Sequence, residues 1–254
     1  MHTGYQSFAC NVLTGTLQAF LTIVLFLLSF TVDAQLQLSV VSGVSVNHLQ
    51  TDVSALSHTV NYGKAGYLAG VGLLVPVGHL FAISTGAAVL QKNYSLDRTG
   101  IYQGLYQSFR NDYLQVPVSA RYTFRSGKWE AFGEAGFYIA YWLSGSIRGT
   151  IPDIYGATDS IHADGTVTET FRVRKYDEKY RFDAGRDNRF EFGWVAGLGI
   201  SFDVSSRYAL CFQYSYYRSQ TDRYKAASNS AYNDTQSFTL GARITPGHQS
   251  KPLR

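Results

Sequence analysis

Glu130 and Glu134 lie four residues apart in a stretch where apolar residues alternate with small ones, and Arg121, Glu191, Asp203 and Arg243 occupy matching positions in similar stretches. On the inner face of a sheet such groups need charge-assisted partners, because an ion buried without one is heavily penalised. The six residues Arg121, Glu130, Glu134, Glu191, Asp203 and Arg243 therefore form a candidate polar network. Glu134, mid-strand and with Glu130 below it, is the sharpest of them, and Arg121 or Arg243 is its expected partner. The chemistry open to such a set is either a relay of protons or solutes or a salt-bridged plug. The mixed signs favour the plug.

Other reactive spacings are sparse. His248-Gln249-Ser250 is the one His-x-Ser, and it falls in a polar tail. Asp97, Asp112 and Asp222 lie at loop edges with no histidine near them in sequence, while His48, His58 and His79 read as loop or turn residues. His162 with Asp159 and Asp164 would hold a cation only weakly. Cys10 and Cys211 have the spacing of neither a zinc knuckle nor a redox motif. No catalytic, cofactor or metal residues are assigned, and the expectation is a protein without enzymatic activity.

The elements that position these groups follow from periodicity. Apolar residues recur every second position at Leu36–Val46, Tyr67–Val75, Phe81–Val89, Leu114–Phe124, Trp129–Leu143, Phe190–Phe202, Tyr208–Tyr216 and Phe238–Ile244. A period of two means strands, and eight result. Charged residues make up 16% of the chain and aromatics 15%, which excludes a disordered chain and a charge-rich helical bundle. A net charge of +4 with both signs interspersed is no nucleic-acid footprint. Short connections at 76–79, 125–128 and 204–206 alternate with long ones at 48–65, 93–111, 149–189 and 221–233. That asymmetry predicts an eight-stranded antiparallel up-and-down transmembrane β-barrel with tight turns at one end and loops at the other.

The two faces of these strands differ in kind. One carries glycines and the six charged groups, as suits a narrow lumen too full for an open pore. The other is apolar and is expected to face the lipid of an outer membrane. Its aromatics fall at two levels, Tyr122, Phe124, Trp129, Phe202 and Tyr208 near the turns and Tyr141, Phe192, Trp194, Tyr214 and Tyr216 toward the loops. They read as the girdles of the two membrane interfaces.

Leu17–Val32 is an apolar run ended by Asp33-Ala34-Gln35, the pattern of a secretory signal cleaved before Gln35. The expected organisation is a signal peptide over 1–34, a barrel over 35–245 and a polar tail over 246–254. The loop 149–189 holds seven of the Lys and Arg residues and eight of the Asp and Glu residues, with Tyr155, Phe171, Tyr176, Tyr180 and Phe182 among them. It is the expected surface for contact with protein or glycan, and Val167 to Phe182 is expected to extend the strands outward as a hairpin.

The stretch Tyr113-Leu114-Gln115-Val116-Pro117-Val118-Ser119-Ala120-Arg121-Tyr122-Thr123-Phe124 puts a proline inside a strand, where it removes a ladder donor. It resembles the Tyr-Leu-x-x-Pro-x-x-x-x-Tyr-x-Phe strand of the outer-membrane β-barrel domain family that includes the PorT-like proteins. Phe192-Gly193-Trp194-Val195-Ala196-Gly197-Leu198-Gly199-Ile200 is similar to that family's sixth strand. The resemblance implies the cell outer membrane as location and a role in secretion or envelope assembly. Two alternatives stand beside the structural or interaction role, namely an outer-membrane lipid hydrolase and a soluble periplasmic ligand-binding barrel.

Overall fold

A computed structural model describes residues 36–51, 58–225 and 230–246. The expected signal segment 1–34 and the tail from 247 onward lie outside the described residues, including His248 and Ser250. Ten strands form one antiparallel sheet: β1 (Gln37–Thr51), β2 (Thr59–Pro76), β3 (Phe81–Gln91), β4 (Asn93–Arg98), β5 (Tyr106–Ser126), β6 (Trp129–Ile161), β7 (Val167–Lys179), β8 (Phe190–Asp203), β9 (Tyr208–Ser219) and β10 (Ala231–Ile244). β1 pairs with both β2 and β10, which closes the sheet. β3 and β4 act as the lower and upper halves of one ring strand, each lying between β2 and β5. The ring is thus eight strands around, with β7 added only to the upper part of β6.

Tight turns and long connections fall at opposite ends. The β5–β6 turn is closed by the pair Ser126 and Trp129, and Gly127 takes φ +60°, a conformation that favours glycine. At the loop end the strands run further than the apolar pattern predicts. β1 continues to Thr51 and β2 starts at Thr59. Residues 93–98 form β4, β5 starts at Tyr106, and β10 starts at Ala231. Past the apolar band the outer face meets water, so polar residues replace the apolar ones and the two-residue signal disappears while the backbone ladder continues.

Pro117 leaves its mark without shifting the register. β3 and β5 pair from Phe81 to Thr85 and again from Ala88 to Gln91, and the ladder skips Gly86 and Ala87 opposite the proline region. The side chain of Thr85 donates to the Pro117 carbonyl at 2.9 Å and spans the gap.

The apolar face is the outside of the ring. Val40, Val71, Val118, Phe137, Leu198, Leu210 and Leu240 are all more than half exposed, while the inward positions hold Ser45, Asn47, Gln115, Ser119, Arg121, Glu130 and Arg243, all buried. A water-soluble barrel has the reverse arrangement.

Candidate functional site

The lumen is filled in layers that can be counted up β6, whose even-numbered residues point inward from Glu130 to Trp142. Four strand residues rise about 13 Å, so Glu130, Glu134 and Tyr138 mark three successive levels.

At the lowest, Arg243 Nη1 and Nη2 donate to Glu130 Oε1 and Oε2 at 2.5 and 3.2 Å. Arg125 Nη2 adds a bond to Glu130 Oε2 at 2.8 Å. Asp203 lies 3.7 Å from Arg243 and 3.6 Å from Arg125, so two acids and two guanidiniums neutralise one another at the turn end. At the middle level Arg121 Nη2 and Nε hold Glu134 Oε2 at 2.8 and 3.1 Å, and Gln213 Nε2 donates to Glu134 Oε1 at 2.5 Å. The Arg121 guanidinium also lies over the Phe132 ring, 3.8 Å from its centroid. β5 and β6 place Arg121 and Glu134 directly opposite each other, so this pair is set by the register of two neighbouring strands.

The third level uses a residue that periodicity did not single out. Lys92, at the junction of β3 and β4, is wholly buried, and its Nζ donates to Glu191 Oε1. The same oxygen accepts from the Tyr138 hydroxyl at 2.7 Å, and Glu191 Oε2 accepts from Asn233 Nδ2 at 2.7 Å. The ammonium lies 4.9 Å from the ring centres of both Tyr113 and Tyr138. Lys92 continues the inward series Leu90, Lys92, Tyr94, all with no exposed surface. That series was the signal available in the sequence, and it lies just beyond the last apolar residue assigned to the strand.

Above these layers is an aromatic lid. Arg223, buried and drawn in from the β9–β10 connection, lies 3.9 Å over the Trp142 ring and donates to Asn111 Oδ1 at 3.0 Å. Trp142 packs on Tyr113, Tyr180 and Phe182 with centroid separations of 5.9, 4.9 and 4.8 Å. Arg189 donates to the Trp142 carbonyl at 2.9 and 3.0 Å and lies 4.1 Å over Phe182. Asp187 fixes the connection from β7 to β8. It accepts from the Tyr180 hydroxyl at 2.8 Å, the Asp183 amide at 2.8 Å and Arg186 Nε at 3.0 Å.

On the outer face the aromatics stand in cross-strand pairs at two levels. Near the turns Phe81 meets Tyr122 and Trp129 meets Phe202, at 5.3 and 4.8 Å. Toward the loops Phe137 meets Phe192, Trp194 meets Tyr216 and Tyr214 meets Phe238, at 5.9, 5.4 and 5.1 Å. Tyr122, Phe124, Trp129, Tyr141, Phe192, Trp194 and Tyr208 are exposed, and Phe202, Tyr214 and Tyr216 are half-buried against these neighbours.

The loop-edge aspartates are spent on local bonds. Asp112 accepts from Gln91 and Ser144, Asp97 from Ser95, and Asp222 from the amides of Tyr224 and Ala231. Among the described residues no three His, Cys, Asp or Glu side chains converge as metal ligands would.

No curated protein matches the chain. Among solved structures it is similar to Neisserial surface protein A (9% identity, 82% of this chain and 96% of that one, TM-score 0.45). It is also similar to OprG of Pseudomonas aeruginosa (11%, 82% and 94%, 0.45) and to Ail of Yersinia pestis in complex with the heparin analogue sucrose octasulfate (11%, 83% and 99%, 0.36). The family model described as outer membrane protein beta-barrel domain matches residues 29–224, and the chain belongs to that family of outer-membrane β-barrels.

Proposed function

We propose that this outer-membrane barrel is a non-conducting, non-enzymatic scaffold whose work is contact, made through the β6–β7 hairpin above the membrane. The observation that carries this reading is a contrast within β6. Its lower part faces a lumen stopped at three charged levels and a lid, while its upper part leaves the ring altogether. Pairing with β8 ends at Tyr141 and with β5 at Gly149, and beyond that β7 is the only strand paired with it, as far as Asp153 and again from Thr158 to Ile161. The hairpin is highly charged, with the Arg148 and Asp177 side chains bridged at 2.7 Å and Arg172, Arg174, Lys175 and Glu178 all exposed. The two aromatic levels support a placement in which the hairpin stands clear of the lipid, with the polar network serving as a plug rather than a relay. The strand around Pro117 supports a place near the PorT-like proteins within the family.

Replacing residues 153–172 with a two-residue turn tests the reading. The truncated protein is expected to keep its heat-modifiable migration on gels while cells expressing it lose adhesion to protein- or glycan-coated surfaces. Ion conductance by the wild-type barrel in planar bilayers, or altered lipid acylation on overexpression, would overturn it.

A further inference from the structure

Among the described residues three arginines are buried, Arg121, Arg223 and Arg243. Arg121 and Arg243 are each held by a glutamate, at 2.8 and 2.5 Å, but Arg223 has no ion-pair partner among the described residues. The acids around it are engaged elsewhere. Glu191 takes Lys92, Asp187 takes Arg186, and Asp222 accepts from the amides of Tyr224 and Ala231. Of the Arg223 nitrogens Nη2 alone is bonded, to Asn111 Oδ1 at 3.0 Å. Nε and Nη1 are buried with no hydrogen-bond partner, and so is the hydroxyl of the fully buried Tyr94, whose ring centre lies 5.1 Å from the guanidinium carbon. Buried donors in this state are costly, and a buried cation without a counter-ion more so.

We infer that Arg223 and Tyr94 bind a single small anion of the halide class, such as chloride, taken from the medium. What the two side chains lack is an acceptor, and the unpaired guanidinium charge favours an anion over water through charge-assisted bonds. Enclosure selects for size. The donors have no contact with solvent and stand among the rings of Trp142, Tyr94 and Tyr224, at 3.9, 5.1 and 5.9 Å from the guanidinium carbon, so a monatomic ion displaces least. The route in is short. Tyr224 is half-buried and lines, with Phe109, an open groove of about 640 Å³ beside the hairpin, and turning this one ring connects the groove to Arg223. The backbone of Arg223 is fixed beforehand, its amide donating to the Ala231 carbonyl and its carbonyl accepting from the Asn188 amide, both at 2.9 Å. The site lies behind the hairpin and does not depend on the contact role of that hairpin. Its anion compensates the guanidinium and secures the lid, and the charged levels beneath keep it from passing through.

The test uses the whole protein in detergent with Trp129→Phe and Trp194→Phe, which leave Trp142, beneath the guanidinium, as the single tryptophan. Bromide, a heavy-atom quencher, is titrated against gluconate at constant ionic strength. Saturable quenching of Trp142 is expected, relieved by chloride and not by sulfate. Arg223→Met should leave only weak quenching that rises linearly with bromide. Tyr94→Phe should weaken bromide about tenfold, as the loss of a hydrogen bond to a charged group does. Each variant is first shown to keep the heat-modifiable fold, and if Arg223→Met does not fold, Tyr94→Phe carries the test. Replacing gluconate by chloride should also raise the unfolding midpoint of the protein that retains Arg223. Linear quenching before any further substitution, saturable quenching that survives Arg223→Met, undiminished affinity in Tyr94→Phe, relief by sulfate equal to that by chloride, or an unfolding midpoint indifferent to chloride would each overturn the proposal.

Discussion

Lys92 and Glu191, ninety-nine positions apart in sequence, join across the lumen as a buried ion pair, with Tyr138 and Asn233 supplying the remaining bonds to the carboxylate. The pair links the β3–β4 junction to β8, on strands that are not neighbours in the ring. It therefore braces the barrel across its interior, a role the backbone ladder does not fill.

Removing one partner of this pair leaves the other buried and uncompensated. Lys92→Met and Glu191→Leu are each expected to destabilise the folded barrel by about 3–5 kcal/mol, whereas the double variant should recover most of that loss because neither charge remains. Urea unfolding in lipid vesicles, followed by tryptophan fluorescence, measures all three. Single variants within about 1 kcal/mol of wild type, judged against that range, would show that the pair is not a brace.

A second expectation concerns the small residues that make room for the network. A Cβ at Gly193 would stand 2.2 Å from the Arg218 carbonyl oxygen and 2.7 and 2.8 Å from two ring carbons of Tyr138. That ring has little freedom to give way, since its hydroxyl is bound to Glu191 at 2.7 Å and it packs at right angles to the Tyr217 ring, 5.4 Å between centroids. Gly193→Ala should cost about 1–3 kcal/mol, as overpacking does. Gly78→Ala, in a turn where an added Cβ meets nothing within 4 Å, should leave stability unchanged. Equal heat-modifiability and equal unfolding midpoints for the two variants would contradict this.

These relationships were unequally legible in the sequence. Arg121 and Glu134 belong to neighbouring strands joined by one tight turn, so the inward alternation of each strand was enough to bring them together. The alternation of its strand marks Glu191 as an inward carboxylate, but its partner Lys92 sits where β3 passes into β4 and the pairing with β2 slips by one residue. No apolar repeat marks that junction. Arg223 and Trp142 carry no local signal for a related reason. Their contact depends on how the β9–β10 connection folds back over the lumen, which is set by closure of the whole ring and not by any local pattern. The outward aromatics were easier, because the same two-residue period that defines a strand also fixes the side on which each residue emerges.

The lid carries its own pH dependence through Asp187. Burial pushes its carboxyl up, but the Arg186 guanidinium, the Asp183 amide and the Tyr180 hydroxyl together outweigh burial and hold it below the ordinary value. A carboxyl depressed in the folded state contributes stability that is complete above its unfolded value, about 3.9, and is lost as pH falls through the lower folded value. The lid should therefore be unchanged from pH 7 to about 5 and loosen below about 4. Trp142 reports on this directly, since Tyr180 and Phe182 both pack against its ring. In a Trp129→Phe, Trp194→Phe background Trp142 is the single tryptophan, and its emission should shift to the red only in the acid range. Adding Asp187→Asn should produce the red-shifted spectrum already at pH 7 and flatten the titration. A wild-type-like titration in the Asp187→Asn protein would place the acid sensitivity of the lid elsewhere.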